Sequence, residues 1–369
     1  MKILEIGPYP PPYGGWSRRI KVLKEGLVQR GHECVILNLS ANRWPPTAEY
    51  DGFRNRLHFL IKVWSYSRRG FALHVHINAK SLHQLTVALV CRVISWIWRR
   101  RMVLTVHGGP DQRLLFAGQW WLRAFVRLAL CLPEHIICDS GAVRESIVRA
   151  GGAPVRVSAI SPFTRQYLDE VWTPTGALAE FIHSHQPVLL CYAYVLCDEP
   201  SLRVLLEAMH ALRARFPQAG AVLLGDGRVE QAWRHLAQDN ALCSHVLWQG
   251  NLPAPLFLGT LQQADVFVRI SPTDGVAASV LEALALDVPV VASRLENRPA
   301  GVLEYSLLDS NELVDKIQTA LTRPASCTAD RFVIGDTLAT EMDLLEEVCG
   351  TDKAHCGEKD VLAGVSGKL

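Results

Sequence analysis

At 369 residues, 49% of them apolar and 20% charged, the chain is long enough for two domains that each bury a core. Its most apolar run, Leu85 to Trp98, contains Arg92 and falls short of the roughly 20 residues of a membrane-spanning helix. The net charge is +2, and the ten cysteines are scattered without a C-x-x-C pair, which excludes a disulfide framework and a zinc module and leaves a cytoplasmic protein as the expectation.

In chain order, short β-rich runs alternate with helical patterns, the signature of parallel sheets wrapped by helices. The pattern predicts strands near 2–7, 33–39, 73–77, 102–107, 135–138 and 155–158, with helices near 15–30, 52–68, 80–99, 113–131 and 140–150. Alternation then lapses over a stretch holding Pro162, Pro174, Gly176 and Pro187, as a domain junction does. It resumes with strands near 187–194, 219–224, 245–249, 265–269 and 289–292, and helices near 200–215, 228–240, 254–263 and 278–286. The expected organisation is a Rossmann-like domain over 1–165, a linker over 166–186, a second Rossmann-like domain over 187–335, a helix over 336–348 and a disordered tail over 349–369. Two α/β halves of similar size imply a cleft between them.

The candidate chemistry lies at strand ends. The first strand runs through four prolines into Gly14-Gly15, which leave the backbone bare at a helix N-terminus, where N–H groups and the helix dipole hold an anion. This is not G-x-G-x-x-G, so a dinucleotide-binding dehydrogenase is disfavoured. The strand ending in His107-Gly108-Gly109 puts an imidazole where open α/β sheets bind ligands. It serves there either as a structural hydrogen-bonder or as a group that contacts a sugar. His74 and His76, two residues apart on a strand, are read as one face of a sheet. Further on, Arg269 ends a strand, Asp274 stands in a glycine loop beside Gly275, and Glu282 follows eight positions later inside a helix. The loop and helix N-terminus suit a diphosphate, and the two carboxylates suit sugar and ribose hydroxyls.

This last block resembles the acid-x7-acid motif of retaining family 4 glycosyltransferases, which have the GT-B fold. Asp274, Glu282, Glu282-Ala283-Leu284-Ala285 and Pro289-Val290-Val291-Ala292-Ser293 keep the motif's places. The resemblance covers about residues 1–348, through Gly14-Gly15, Thr105-Val106-His107, Asp139-Ser140, Glu207-Ala208, Gly225-Asp226-Gly227 and Gly250-Asn251-Leu252. It implies that Gly14 and Gly15 lie against donor phosphates, that His107 contacts the transferred sugar, that Asp274 binds its hydroxyls and Glu282 the ribose. It further implies that Gly275, Val276 and Ser279 offer N–H groups to the diphosphate, and that Gly250, Asn251 and Leu252 lie near the base. The activity implied is retaining transfer from a nucleotide-sugar to a glycan or lipid-linked acceptor, with no metal and no cofactor.

The chain departs from the family pattern in three places. The family's G-R-L and downstream lysine are missing from Cys191 to Pro200, so Arg269 and Arg298 are the candidate diphosphate cations. Asp274 replaces a longer glutamate. Asp287 replaces a glycine after the helix, at a position that often needs positive φ. The missing cations favour an alternative, a degenerate GT-B protein that scaffolds another transferase. An epimerase or a phosphorylase fits less well, because the acid-x7-acid block suits transfer and no pyridoxal-type lysine site is visible.

Charge is unevenly shared. Residues 1–170 carry 24 Lys and Arg against 11 Asp and Glu, while the rest carry 14 against 25. Ser95 to Arg101 and Trp120 to Arg127 mix Trp with Arg, suiting either an anionic membrane face or ordinary helices with solvated arginines. The expected partners are a nucleotide-sugar, its acceptor and the inner membrane face, with no nucleic acid.

Overall fold

The computed structural model describes residues 1–10, 15–78, 81–108, 118–193, 199–225, 227–237, 244–272, 277–295, 298–322 and 336–350. The chain forms two compact units, one of Met1–Pro162 with Asp336 onward and one of Phe163–Gly335.

The first unit alternates β1 (Lys2–Gly7), α1 (Gly15–Gln29), β2 (Glu33–Asn38), α2 (Arg56–Arg68), β3 (Ala72–Ile77), α3 (Leu82–Ile97), β4 (Met102–Val106), α4 (Trp120–Cys131), β5 (His135–Cys138), α5 (Gly141–Arg149) and β6 (Val157–Ala159). Each helix returns the chain to the same edge, so every pairing is parallel, in the order β2-β1-β3-β4-β5-β6. Asn55, Ser81 and Ser140 cap α2, α3 and α5 by accepting the N–H of His58, Gln84 and Val143.

Strand parity gives this sheet two unlike faces. Leu4, Ile6, Leu73, Val75, Leu104 and Val106 pack with α2 to α5 in one apolar core. On the other face Ile3, Ala72, Val103 and Ile137 meet Leu23 and Leu27 of α1, and Leu338, Met342 and Leu345 of α12 (Thr337–Gly350). The helix predicted near the chain's end is thus a wall of the first sheet.

The second unit holds α6 (Gly176–Ser184), β7 (Val188–Ala193), α7 (Glu199–Arg215), β8 (Gly220–Leu224), α8 (Gly227–Ala237), β9 (Val246–Trp248), α9 (Ala254–Gln262), β10 (Val266–Ile270), α10 (Ala278–Ala285), β11 (Val290–Ser293), β12 (Leu303–Tyr305) and α11 (Ser310–Thr322). Its six parallel strands run β12-β11-β10-β7-β8-β9, so strand order reverses between β7 and β10. Apolar cores cover both faces, one with α7, α8 and α11 and the other with α6, α9 and α10. Helix α6 lies inside the stretch read as a linker, while β12 and α11 extend the unit past its last predicted strand.

Candidate functional site

In the first unit, order reverses between β1 and β3, and ligands of open α/β sheets bind beyond such a point. There β1 ends at Gly7, where a Cβ would collide with Ile20 Cδ1 and press on His76 Cβ at 3.2 Å. Glycine lets α1 and β3 close on β1. Gly15 opens α1, and Trp16 stacks on the His107 ring at 4.4 Å between centroids. The glycine turn and His107, predicted separately, are therefore neighbours; Gly14 lies outside the described residues.

His107 is 1% exposed, with both ring nitrogens engaged. Nδ1 is 3.1 Å from Asp139 Oδ1, and Nε2 is 3.0 Å from His76 Nδ1. Asp139 Oδ2 also accepts the N–H of Gly108 at 2.8 Å. Gly108 has φ 113, which glycine alone adopts without strain, so Asp139 fixes both the ring and the turn after it.

Behind His107 the sheet is polar. His76 Nε2 is 2.8 Å from Glu5 Oε2, His74 Nδ1 is 2.9 Å from the same oxygen, and His74 Nε2 is 2.7 Å from Thr105 Oγ1. His74 Nε2 is also 4.0 Å from Glu341 Oε1, and Arg19 pairs with Glu341 at 2.6 Å. The guanidinium further donates to the Thr337 carbonyl at 2.7 Å. None of Glu5, Arg19, His74, His76 or Glu341 is more than 3% exposed. Period-2 spacing correctly places both histidines on one face; that face is a buried hydrogen-bond layer reaching His107, a link the spacing alone does not reveal.

Burial raises the Glu5 carboxyl, but His74 and His76 beside it bring it down to about 2. Burial alone would lower His74, yet Glu5 and Glu341 shift it upward. Burial, then the charge of His74, push His76 down to about 4. Burial raises Glu341, while Arg19 and His74 outweigh it and hold it below its ordinary value. Glu5, His74 and His76 each offer a ligand atom within 4.8 Å of the others. Their contacts of 2.8 and 2.9 Å are hydrogen-bond lengths.

In the second unit the motif block spans the reversal between β7 and β10. Arg269 on β10 is 4% exposed and lies 4.7 Å over the Tyr192 ring of β7. Ser271 and Ser293 join the ends of β10 and β11, Ser293 Oγ donating to the Ser271 carbonyl at 2.6 Å. Arg298 donates to the Ser293 carbonyl at 2.9 Å and approaches its Oγ at 3.2 Å. Both proposed substitute cations thus stand by the ends of β10 and β11. Ser279 is half-buried in the first turn of α10, and Glu282, 2% exposed, is on the same helix. Gly250, with φ 70, opens the turn after edge strand β9, followed by Asn251 and Leu252. Asp274, Gly275 and Val276 lie outside the described residues. Asp287 has φ 58, the backbone conformation expected of the glycine it replaces.

Among the described residues no helix is long and apolar enough to cross a membrane. The aromatic-basic segments lie on α3 and α4, where Trp96 is 71%, Trp120 77% and Trp121 48% exposed. Trp98 instead packs edge-on against Trp64 of α2, 5.2 Å between centroids. Between α2 and α3 runs an apolar groove of about 530 Å³ lined by Leu60, Ile61, Trp64, Leu89, Val93 and others, and a second hollow near the end of α3 is lined by Arg92, Arg99, Arg100 and Arg101 with Glu134, which pairs with Arg92 at 2.9 Å.

Residues 13–165 match the model of Glycosyltransferase Family 4 and residues 186–323 that of Glycosyl transferases group 1. A GDP-mannose-dependent alpha-(1-6)-phosphatidylinositol monomannoside mannosyltransferase of Mycolicibacterium smegmatis is 25% identical over 356 residues, covering 86% of this chain and 87% of that protein. Among solved structures, Anabaena HepE in complex with UDP superposes with a TM-score of 0.66 at 16% identity, over 95% of this chain and all of that one. A glycosyltransferase from Rickettsia africae also gives 0.66, at 14% identity over 94% and 98%. Two parallel-sheet units of the GT-B kind, each matched by a transferase model, place this chain in the family 4 glycosyltransferases.

Proposed function

We propose that this protein is a retaining, metal-independent glycosyltransferase that moves a hexose from a nucleoside-diphosphate sugar to a lipid-linked or glycan acceptor. The observation that carries the reading is that Arg269, Ser279, Glu282 and Arg298 lie on or beside β10, α10 and β11, next to the strand-order reversal of the second unit. There the α10 N-terminus supplies N–H groups and Arg269 and Arg298 supply charge for a diphosphate. Catalysis is then mainly positioning and stabilisation of the leaving diphosphate. His107 contacts the transferred sugar, Asp274 binds its hydroxyls and Glu282 binds the ribose. The Mycolicibacterium relative is named for GDP-mannose and phosphatidylinositol monomannoside, which supports a lipid-linked acceptor here. The apolar groove beside an arginine cluster suits the surface of an anionic membrane.

Thermal unfolding against GDP, UDP and ADP tests the reading, with Glu282→Ala alongside. A ligand at 100 times its dissociation constant adds about 2.7 kcal/mol, roughly 5–10 °C for a unit of this size. A shift with one diphosphate, lost in Glu282→Ala, identifies the base. Transfer by the purified protein, with the product's anomeric configuration read by NMR and the rate unchanged by a chelator, tests the retaining and metal-independent parts. The sequence from Val188 to Leu202 holds no Lys or Arg, which favours the scaffold alternative; no shift with any diphosphate would count against the transferase reading and favour that alternative.

A further inference from the structure

Asp139, His107, His76 and Glu5 form a continuous chain of three hydrogen bonds, of 3.1, 3.0 and 2.8 Å. Each bond needs one proton. A carboxylate has none to give, and a neutral imidazole carries one N–H and one acceptor nitrogen. Two neutral rings between two carboxylates therefore supply two protons for three bonds, and a third proton has to reside in the chain. We propose that this proton belongs to His107, which rests as an imidazolium with Nδ1–H given to Asp139 and Nε2–H given to His76, and that Glu5 and His76 are positioning residues that hold it so.

The neighbours decide where the proton lies. Glu5 is ionised, its carboxyl held down to about 2 by His74 and His76. His76 is neutral, pushed down to about 4 by burial and by the adjacent charge on His74. Its single N–H faces the Glu5 carboxylate, where a bare nitrogen would be repelled, so its Nδ1 is a lone pair. That lone pair can accept only from His107 Nε2–H. The described groups packed around the layer fit the same pattern. Asp139 follows β5, Glu5 comes from β1, His74 from β3, Arg19 from α1 and Glu341 from α12, with uncharged Thr105 and Trp16 alongside. With His107 cationic, charges alternate among the described residues from Asp139 through His107, Glu5, His74 and Glu341 to Arg19. A neutral His107 would remove the positive charge between the Asp139 and Glu5 carboxylates, which is costly away from water.

The meaning for transfer rests on the proposed function: His107 would present a positive charge and no lone pair to the donor, so it acts as an electrostatic group and not as a base. The protonation state itself does not depend on that reading and is tested without substrate. Ring-nitrogen NMR of histidine-labelled protein at pH 7, assigned by His107→Gln and His76→Gln, should show both His107 nitrogens protonated and His76 protonated at Nε2 only. Two substitutions then move protons in opposite directions, because an amide can donate where a carboxylate cannot. In Glu5→Gln the amide donates to His76 Nε2, the His76 proton shifts to Nδ1, and His107 loses its Nε2 proton. In Asp139→Asn His107 keeps Nε2–H and loses Nδ1–H. A neutral His107 in the unmodified protein would overturn the proposal, wherever the third proton is found, and that measurement decides the matter even if a variant fails to fold. Loss of nucleotide binding by Glu282→Ala, or its absence altogether, bears on the proposed function and leaves this result untouched.

Discussion

The two sheets are alike in being all-parallel and covered on both faces, and they differ in what one face is made of. Strands buried on both sides normally read as continuous apolar runs. The second sheet obeys: Val188, Leu190, Val222, Leu224 and Phe267 pack on α6, α9 and α10, and the buried polar residues of its described strands, Arg269 and Ser293, stand near strand ends. The first sheet puts Glu5, His74, His76, Thr105 and His107 on its α1 and α12 face, with Arg19 and Glu341 opposite. Burying charge costs several kcal/mol per ion unless partners repay it, so the first unit sacrifices an apolar interface to hold His107 in one state. The second unit keeps its core dry and gathers its functional groups at loops and helix ends.

The largest effect should come from breaking the buried pair that closes the polar layer. Glu341→Ala removes the buried carboxylate that pairs with Arg19 at 2.6 Å, and should cost the first unit about 3–5 kcal/mol, read as a lower urea midpoint. Replacing both partners, as Arg19→Met with Glu341→Leu, should recover much of that loss by giving the first unit the kind of interface the second already has. If the single variant is as stable as the parent, the layer is not the organising feature described here.

Acid should distinguish the units next. Glu5 and Glu341 have depressed pKa values, so their stabilisation is complete above the ordinary carboxylate range and disappears as pH falls through the folded values. His76 is depressed from 6.5 to about 4, so the unfolded ring takes a proton that the folded ring refuses, and stability falls as pH drops through that window. His74 is raised; its contribution is present below 6.5 and fades as pH rises through its folded value. The first unit should therefore be most stable near neutrality. Glu5 alone, shifted from 4.5 to about 2, accounts for on the order of 3 kcal/mol between those limits. Denaturation midpoints across a pH series, with one probe in each unit, should show the first unit weakening earlier on acidification.

Gly7→Ala tests the junction of α1, β1 and β3. Its Cβ meets Ile20 and His76, and the overpacking should cost about 1–3 kcal/mol. It should also disturb His107 through His76, so any transfer activity should fall further than stability explains.

Much of this organisation is legible in the sequence because parallel α/β repeats leave two independent marks, the apolar strand runs and the capped helices between them. The elements missed have physical reasons. Strand β12 is three residues long, and α6, though nine residues long, lies in a stretch whose Pro174, Gly176 and Pro187 read as a junction. Helix α11 did carry a signal, since Asp309 accepts the Glu312 N–H at its start and Leu313, Ile317 and Ala320 face the core. Of the site, His107 and the residues of β10 and α10 are visible as strand-end and helix-start positions. Glu5 and Glu341 are not, because a single acid in an apolar run and another on a terminal helix acquire meaning only when the fold brings them to His74. The positive φ of Asp287, by contrast, follows directly from the glycine it displaces in the motif.

The smallest predicted effects concern helix ends, where the two units again offer a comparison. Helices α1, α2 and α5 each end in a glycine at positive φ, at Gly31, Gly70 and Gly151. The next residue's N–H returns to the last turn, as from His32 to the Leu27 carbonyl, which is the Schellman arrangement. Helices α3 and α10 end the same way, with Arg100 bonded to Ser95 and Val288 to Ala283. There the left-handed residues are Arg99 and Asp287, with φ 53 and 58. An arginine pays the full steric cost of that conformation, while aspartate tolerates it better. Arg99→Gly should therefore stabilise the first unit by about 1 kcal/mol, and Asp287→Gly the second by about half as much, after the glycine's greater freedom in the unfolded chain is subtracted. Arg99 also belongs to the arginine cluster beside the apolar groove, so its removal should weaken binding to anionic vesicles even as the melting temperature rises. Asp287→Gly should raise stability without that loss. If Arg99→Gly instead leaves vesicle binding unchanged, the strained arginine is not retained for the membrane surface, and the groove's role there would have to be withdrawn.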